Sequence, residues 1–211
     1  MQVLIHAVLK RMWYVNEFLV PSLKAQGIEP RIYVDTEKRG NLNACLDSFY
    51  HTHGDCWHLQ DDVLIARDFA ERASKITGAA NGFCHIRSGD KPECVGKVYA
   101  PDFWNGFPCV RVPDSYHQEY VDWVVNAHHD SWSDILIRQN RGDDFLFKSF
   151  LQDRHGEEMV TNISLVEHID WLIGGAVVGA WRGYICRSDL WDDEELVQEL
   201  KRNIKKHRAA I

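Results

Sequence analysis

The run Val3 to Leu9 is apolar except for His6 and short enough to form a buried strand. Trp13, Phe18, Leu19 and Leu23 then recur at helical spacing and the pattern stops at Gly27. This predicts a helix over Trp13 to Gln26, with Pro21 either kinking it or marking its true start. Arg31 to Asp35 reads as a second short strand. Asn41 to Thr52 reads as a second helix with Leu42, Cys45, Leu46 and Phe49 on one face, and Cys56 to Leu59 as a third strand. Strand, helix, strand, helix, strand is the rhythm of an α/β fold: a mostly parallel sheet, helices on its faces, and a ligand crevice beyond the strand C-termini. Asp35 and the pair Asp61-Asp62 are expected on that rim.

Beyond a predicted helix from Ile65 to Ile76 the alternation weakens. Asn81 to Arg87 and Cys94 to Tyr99 are strand candidates around a turn-rich loop from Ser88 to Glu93. Phe103 to Pro113 mixes aromatics with Gly and Pro, which suits either a shaped loop against a ligand or a loop packed on the core. Helices are predicted over Asp114 to His129, Asp143 to Arg154 and Asp192 to Ala210, with a short strand at Ile163 to Val166. No repeat, low-complexity tract or linker interrupts the chain, so one domain over 1–211 is expected.

The chemistry centres on Asp55 to Ala66, where an apolar run ends in adjacent carboxylates. Neighbouring Asp side chains at the end of a buried strand repel each other, so they either diverge into solvent or share a cation such as Mg²⁺ or Mn²⁺. The other reading makes them the end of a strand and the start of a helix, where carboxylates suit the positive end of the dipole.

Composition narrows the partners. With 24 Lys and Arg against 31 Asp and Glu, the net charge of -7 argues against a broad electropositive surface, although the last dozen residues are locally basic. Those charges also suit the solvated face of a terminal helix. The six cysteines are scattered without metal-ligand spacing, and the first residues lack a secretion-signal pattern, so reduced thiols and a cytoplasmic location are expected. No apolar run reaches the roughly twenty residues that span a bilayer.

The order of elements and the segment LQDDVLIARDF resemble the nucleotide-sugar-binding half of GT-A-type glycosyltransferases. The segment is similar to the Leu-Glu-Asp-Asp-Val signature of galactosyltransferases that modify collagen and lipooligosaccharide. The resemblance implies a GT-A-like Rossmann-type sandwich, its nucleotide-sugar half over 1–76 and its acceptor and catalytic half over 77–211. It implies a metal-dependent transfer of a sugar from a UDP- or GDP-sugar to a hydroxyl acceptor, which could be a glycan or a hydroxylated base in phage DNA. Mn²⁺ or Mg²⁺ would be held by Asp62 with Asp61 as companion, and by His168 in the segment SLVEHIDWLIGG. Gln60 stands where the signature has an acid; its amide can still bond ribose hydroxyls. In QNRGDDFLFKSFL, Asp144 is the preferred general base and Asp143 the next, although helix capping accounts for one acid equally well. A carboxylate near the acceptor leans towards an inverting reaction.

By the same analogy His6, Asp35, Arg39 and Asn43 join Gln60 and Asp61 as donor-binding candidates, and Trp104, Phe107 and Trp171 are candidates for stacking against the acceptor. Two alternatives stand beside this reading. A nucleotidyltransferase shares the sheet but expects a Gly-rich segment with a basic residue after the first strand, and HAVLKRMWYV contains no glycine. A catalytically silent nucleotide-sugar or sugar-binding module would keep the fold, with Gln60 marking a decayed site.

Overall fold

The computed structural model describes residues 1–83, 108–126, 131–156, 165–174, 190 and 193–209. Strand β1 (Gln2–Ala7) is flanked on one side by β2 (Arg31–Val34), parallel with Leu4 opposite Arg31. On its other side β3 (Cys56–Gln60) is also parallel, with Gln2 opposite Cys56. The chain reaches β2 through α1 (Met12–Tyr14) and α2 (Val20–Lys24), and reaches β3 through α3 (Asn41–Tyr50). Because β2 and β3 lie on opposite sides of β1, the connections diverge there and open a crevice at the strand C-termini. Further out, β6 (Cys109–Val112) pairs antiparallel with β3, and β5 (Ala80–Asn81) antiparallel with β6. The sheet order is β2-β1-β3-β6-β5, and among these described strands β6 runs against the rest. This is the expected Rossmann-type α/β arrangement, mostly parallel and flanked by helices.

Burial on both faces follows from the two-residue period of a strand. Val3, Ile5 and Ala7 of β1, with Trp57 and Leu59 of β3, pack against Tyr14, Phe18, Leu19 and Leu23. The same core takes in Phe69 of α4 (Phe69–Ser74) and Leu200 of α9 (Glu194–Ala209). The opposite core joins Val110 and Val112 of β6 to Phe49 of α3, Tyr120 of α5 (Asp114–Asn126), and Phe147 and Phe150 of α7 (Asp143–His155). Phe49 sits at its middle, 5.4 Å from the Tyr120 ring and 5.8 Å from that of Phe147.

Several local expectations change. The first helix starts at Met12 and is interrupted by a π-turn over Val15–Leu19, directly before Pro21, which has no amide hydrogen to continue an α-helical ladder. The predicted helix over Ile65 to Ile76 is shorter, because Val63–Ile65 forms a strand, β4, antiparallel to β7 (Val166–His168). Val63, Leu64 and Ile65 are all buried, and the late pairing with β7 overrides their helix-compatible spacing. That late strand ends at His168 instead of Val166. Helix α6 (Ser131–Arg138) has no counterpart in the sequence pattern, and α8 (Asp170–Ile173) follows β7 directly. The strand candidate over Asn81 to Arg87 reduces to Ala80–Asn81 among the described residues. The candidate over Cys94 to Tyr99 and residues 103–107 of the Phe103 to Pro113 loop lie outside them.

Gly82 marks where the main sheet meets the approach to β7. Its amide donates to the Cys109 carbonyl at 2.8 Å and its carbonyl accepts from the Leu165 amide at 2.7 Å. A Cβ here would lie 2.5 Å from the Cys109 sulfur and 3.1 Å from the Trp57 ring. Gly82→Ala is therefore expected to destabilise the fold by about 1–3 kcal/mol through overpacking, read as a lower urea midpoint at unchanged slope.

Candidate functional site

The crevice at the C-terminal ends of β1, β2 and β3 is an open cleft. Its walls come from His6 to Val8 at the end of β1, Tyr33 and Asp35 at the end of β2, His58 to Asp62 at the end of β3, and the N-terminus of α3 at Gly40 and Asn41. Arg11, Asp143, His168 and Asp170 complete it from elsewhere in the sequence. Three remote segments thus converge on the rim that the strand order defines.

At its base, Asp61 and Asp62 are only 3% and 4% exposed. Their repulsion is relieved by a cation from the chain itself: the Arg11 guanidinium, 6% exposed, lies with Nη1 2.7 Å from Asp61 Oδ1 and 2.6 Å from Asp62 Oδ2. Arg11 is fixed further by its Nε, which donates to the Gly174 carbonyl at 3.1 Å. The second oxygen of Asp61 accepts the Val8 amide at 2.7 Å, which ties the pair to the end of β1. His168 Nε2 lies 3.2 Å from Asp62 Oδ2. It is carried there by the ladder that sets Val63 opposite His168 and by the Ile169 amide, which donates to the Asp62 carbonyl at 2.8 Å.

These contacts divide the two acids. Burial and the neighbouring charge of Asp62 push Asp61 up to about 6. Burial also opposes the charge of Asp62, but His168 and Arg11 outweigh it and hold that carboxyl below the usual range. His168 is raised in turn: burial works against its cation, and Asp62 prevails. Arg11 is likewise raised by Asp62 and Asp61 against the effect of burial.

Mg²⁺ commonly binds through one or two carboxylates plus substrate phosphates and waters, so a complete protein cage is not required. The donor set fits that chemistry. Asp62 Oδ1 is a buried acceptor with no hydrogen-bond partner among the described residues. The 3.2 Å between Asp62 Oδ2 and His168 Nε2 is near the roughly 3 Å between adjacent ligands of an octahedral ion. Among the described residues no group of three His, Cys, Asp or Glu side chains forms a ready metal cage. Because Arg11 bridges the two carboxylates, an ion shared by both must displace its guanidinium.

The remaining candidates separate clearly. His6, Asp35, Gln60 and Asp143 line the cleft, whereas Arg39, Asn43 and Asp144 do not. Asp35 spends its carboxylate on the following turn, accepting the Arg39 amide at 2.9 Å and the Gly40 amide at 3.4 Å. The Arg39 guanidinium pairs with Glu37 at 2.9 Å and Asp47 at 3.2 Å. Asn43 holds the loop before α7, its amide donating to Asn140 Oδ1 at 2.8 Å. Trp104, Phe107 and the side chain of Trp171 lie outside the described residues.

Asp143 opens α7 after Gly142, whose φ of +72° is left-handed and whose hydrogen faces the Leu136 side chain, 2.8 Å from where a Cβ would stand. Burial and the adjacent charge of Asp144 push Asp143 up to about 7. Arg11 is the site residue that sequence reasoning misses. Its only signal is a basic residue just after the first strand, in a segment without the glycines that would have drawn attention to it.

No family model and no curated relative matches the sequence. Among solved structures, a Bacillus anthracis protein assigned as a glucose-1-phosphate thymidylyltransferase, crystallised with sucrose, is similar at 10% identity and a TM-score of 0.39. The match covers 76% of this chain and 85% of that one. A likeness at that level carries no argument about this chain. Among the described residues no helix is long and apolar enough to cross a membrane.

Two outcomes test the electrostatics. Arg11→Gln leaves two buried carboxylates without their cation and is expected to cost about 3–5 kcal/mol, measured by chemical denaturation at pH 7.5. Asp143 has a folded-state pKa above its unfolded one, so its contribution to stability is present at pH 4 and is lost as pH rises towards about 7. Asp143→Asn is therefore expected to raise the Tm relative to wild type at pH 8 and to narrow that gain at pH 4.

Proposed function

We propose that the protein is a metal-dependent glycosyltransferase that moves a sugar from a nucleotide-diphosphate sugar to a hydroxyl acceptor. The observation that carries this reading is the convergence of Asp61, Asp62, His168 and Asp143 on one cleft at the switch point of the sheet. In open α/β sheets that crevice is where nucleotides bind. The likeness of LQDDVLIARDF to the galactosyltransferase signature fits the position of the acids at the end of β3.

In this reading Asp62, with Asp61 and His168, holds Mn²⁺ or Mg²⁺. When bound, the ion neutralises the charge that develops on the departing diphosphate. Arg11, once released from the carboxylates, is a second cation for the same phosphates. The N-terminus of α3 at Asn41 also faces the cleft and favours an anion there. Gln60, at the end of β3 beside the acids, can hydrogen-bond ribose or sugar hydroxyls through its amide.

The base is Asp143 in preference to Asp144, because Asp143 lines the cleft and is poised near neutral pH. A general base is most effective when its pKa lies near the working pH. Asp143 accepts the proton of the acceptor hydroxyl as that oxygen attacks the anomeric carbon. Direct displacement with such a base favours inversion.

The test is donor turnover across UDP- and GDP-sugars with Mn²⁺ or Mg²⁺. Slow donor hydrolysis is expected, and Asp62→Ala abolishes it. Asp143→Asn is expected to lower transfer by about 10²–10⁴ while leaving donor affinity unchanged. Tight nucleotide-sugar binding with no turnover on a broad acceptor panel would instead identify a silent binding module. Release of pyrophosphate from a nucleoside triphosphate and a sugar phosphate would identify a nucleotidyltransferase.

A further inference from the structure

Three histidines remote in sequence form a hydrogen-bonded row beneath the cleft. His6 on β1 lines the cleft, and its Nε2 lies 2.8 Å from Nδ1 of His58 on β3. On the other side of the His58 ring, Nε2 lies 2.9 Å from Nε2 of His117 on α5. His117 Nδ1 lies 3.4 Å from the main-chain carbonyl of Asp114. Opposite edges of the central ring are used, so the nitrogens do not converge on a point where a metal ion could sit.

The last contact gives the row a direction. A carbonyl only accepts, so His117 carries its proton on Nδ1 and offers a lone pair at Nε2. His58 must then donate from Nε2 and accept at Nδ1, and His6 must donate from Nε2. The Ser48 hydroxyl, 3.3 Å from His6 Nδ1, donates to the Cys45 carbonyl at 2.7 Å, which leaves His6 Nδ1 with its lone pair. The terminal carbonyl is itself held in place, since the Asp114 amide donates to Asp55 Oδ1 at 3.0 Å.

We propose that His6, His58 and His117 form a polarised proton path from the cleft to the N-terminus of α5. A proton taken up at His6 Nδ1 is matched by movement of the His6 Nε2 proton to His58 Nδ1. The His58 Nε2 proton then moves to His117 Nε2, and the His117 Nδ1 proton is lost to water near Asp114. No charge is left behind, and each ring ends in its other tautomer. Running in reverse resets the rings and returns one proton to the cleft, where the departing diphosphate can take it, so the path holds a proton away within a turnover and exports none over the cycle. In the transferase reading, on which this use rests, the source is the proton that Asp143 has taken from the acceptor hydroxyl, handed on across the cleft that Asp143 and His6 both line.

The surroundings keep the rings neutral. Burial holds His6 down to about 4 and takes His58 well below the ordinary imidazole value, with His6, His117 and Arg31 adding to the effect on His58. Burial also lowers His117, against Asp114 and Asp55 and together with His53. From the packed elements, Tyr33 of β2, and Cys45, Ser48 and Phe49 of α3, face the row.

The experiment is ¹⁵N NMR of histidine-labelled protein at pH 7. The expected spectrum shows three neutral rings, protonated at Nε2 in His6, Nε2 in His58 and Nδ1 in His117. In His117→Phe, His58 and His6 are expected to lose their single tautomer. In His117→Gln, whose amide oxygen can accept from His58, they are expected to keep it. A cationic ring, a reversed tautomer or independent tautomers in the wild type would overturn the proposal, and that outcome is read on the unmodified protein without turnover. Once a sugar donor is turned over, His117→Phe is expected to lower kcat about ten-fold at unchanged KM, with a changed solvent deuterium isotope effect, and His117→Gln to restore neither. An isotope effect identical in wild type and His117→Phe would overturn the relay role while leaving the transferase reading intact.

Discussion

Two carboxylates on adjacent residues, both withdrawn from water, are the constraint around which the cleft is arranged. Isolated, such a pair would be expelled to the surface or forced to take up a proton. Here Arg11 reaches both acids and His168 reaches one of them, so two carboxylates face a guanidinium and an imidazole whose protonated form Asp62 favours. The neutralised cluster joins the segment after β1, the end of β3 and the β4–β7 ladder. Loss of any member leaves the others mismatched, which makes the cluster structural as well as chemical.

The same compensation gives the site its chemical latitude. A salt-bridged carboxylate pair is a poor ligand until its resident cation leaves, and a diphosphate is a better partner for a guanidinium than for a carboxylate. Entry of a divalent ion with a nucleotide-bearing anion would exchange one set of pairings for another at little net change in buried charge. Asp143 stands apart from this cluster on α7, where burial and Asp144 tune it separately. The carboxylates at the end of β3 and Asp143 thus stand on different elements of one cleft.

Much of the first half of the fold is legible in the sequence because its signals are local and mutually consistent. Val3 to Leu9, the α3 face of Leu42, Cys45 and Phe49, and Cys56 to Leu59 each carry their pattern plainly, with strands that end at Ala7 and Gln60, and the order of elements gives the rim. What the sequence conceals depends on distant partners. Ile65 reads as the start of a helix because β7, which claims Val63 to Ile65 as a strand, lies far along the chain. Arg11 is invisible for the same reason: nothing local distinguishes an arginine that turns inward from one that stays in water. The expectation that adjacent acids share a cation is physically sound, and the cation in the structure comes from the chain itself. Asp35 and Arg39 show the reverse case, a suggestive cluster whose hydrogen bonds mostly build a turn.

The two-stranded pairing of Val63–Ile65 with Val166–His168 has a consequence for how the protein is made. On a ribosome the acids and Arg11 emerge long before His168, whose imidazole partners Asp62. Until then β4 has an unpaired edge and the buried acid lacks half of its compensation. Closing so long a loop is slow relative to forming the neighbouring helices. The nascent chain therefore passes through an interval in which its most sensitive charges are assembled but incompletely matched, and the arrival of β7 completes the cluster.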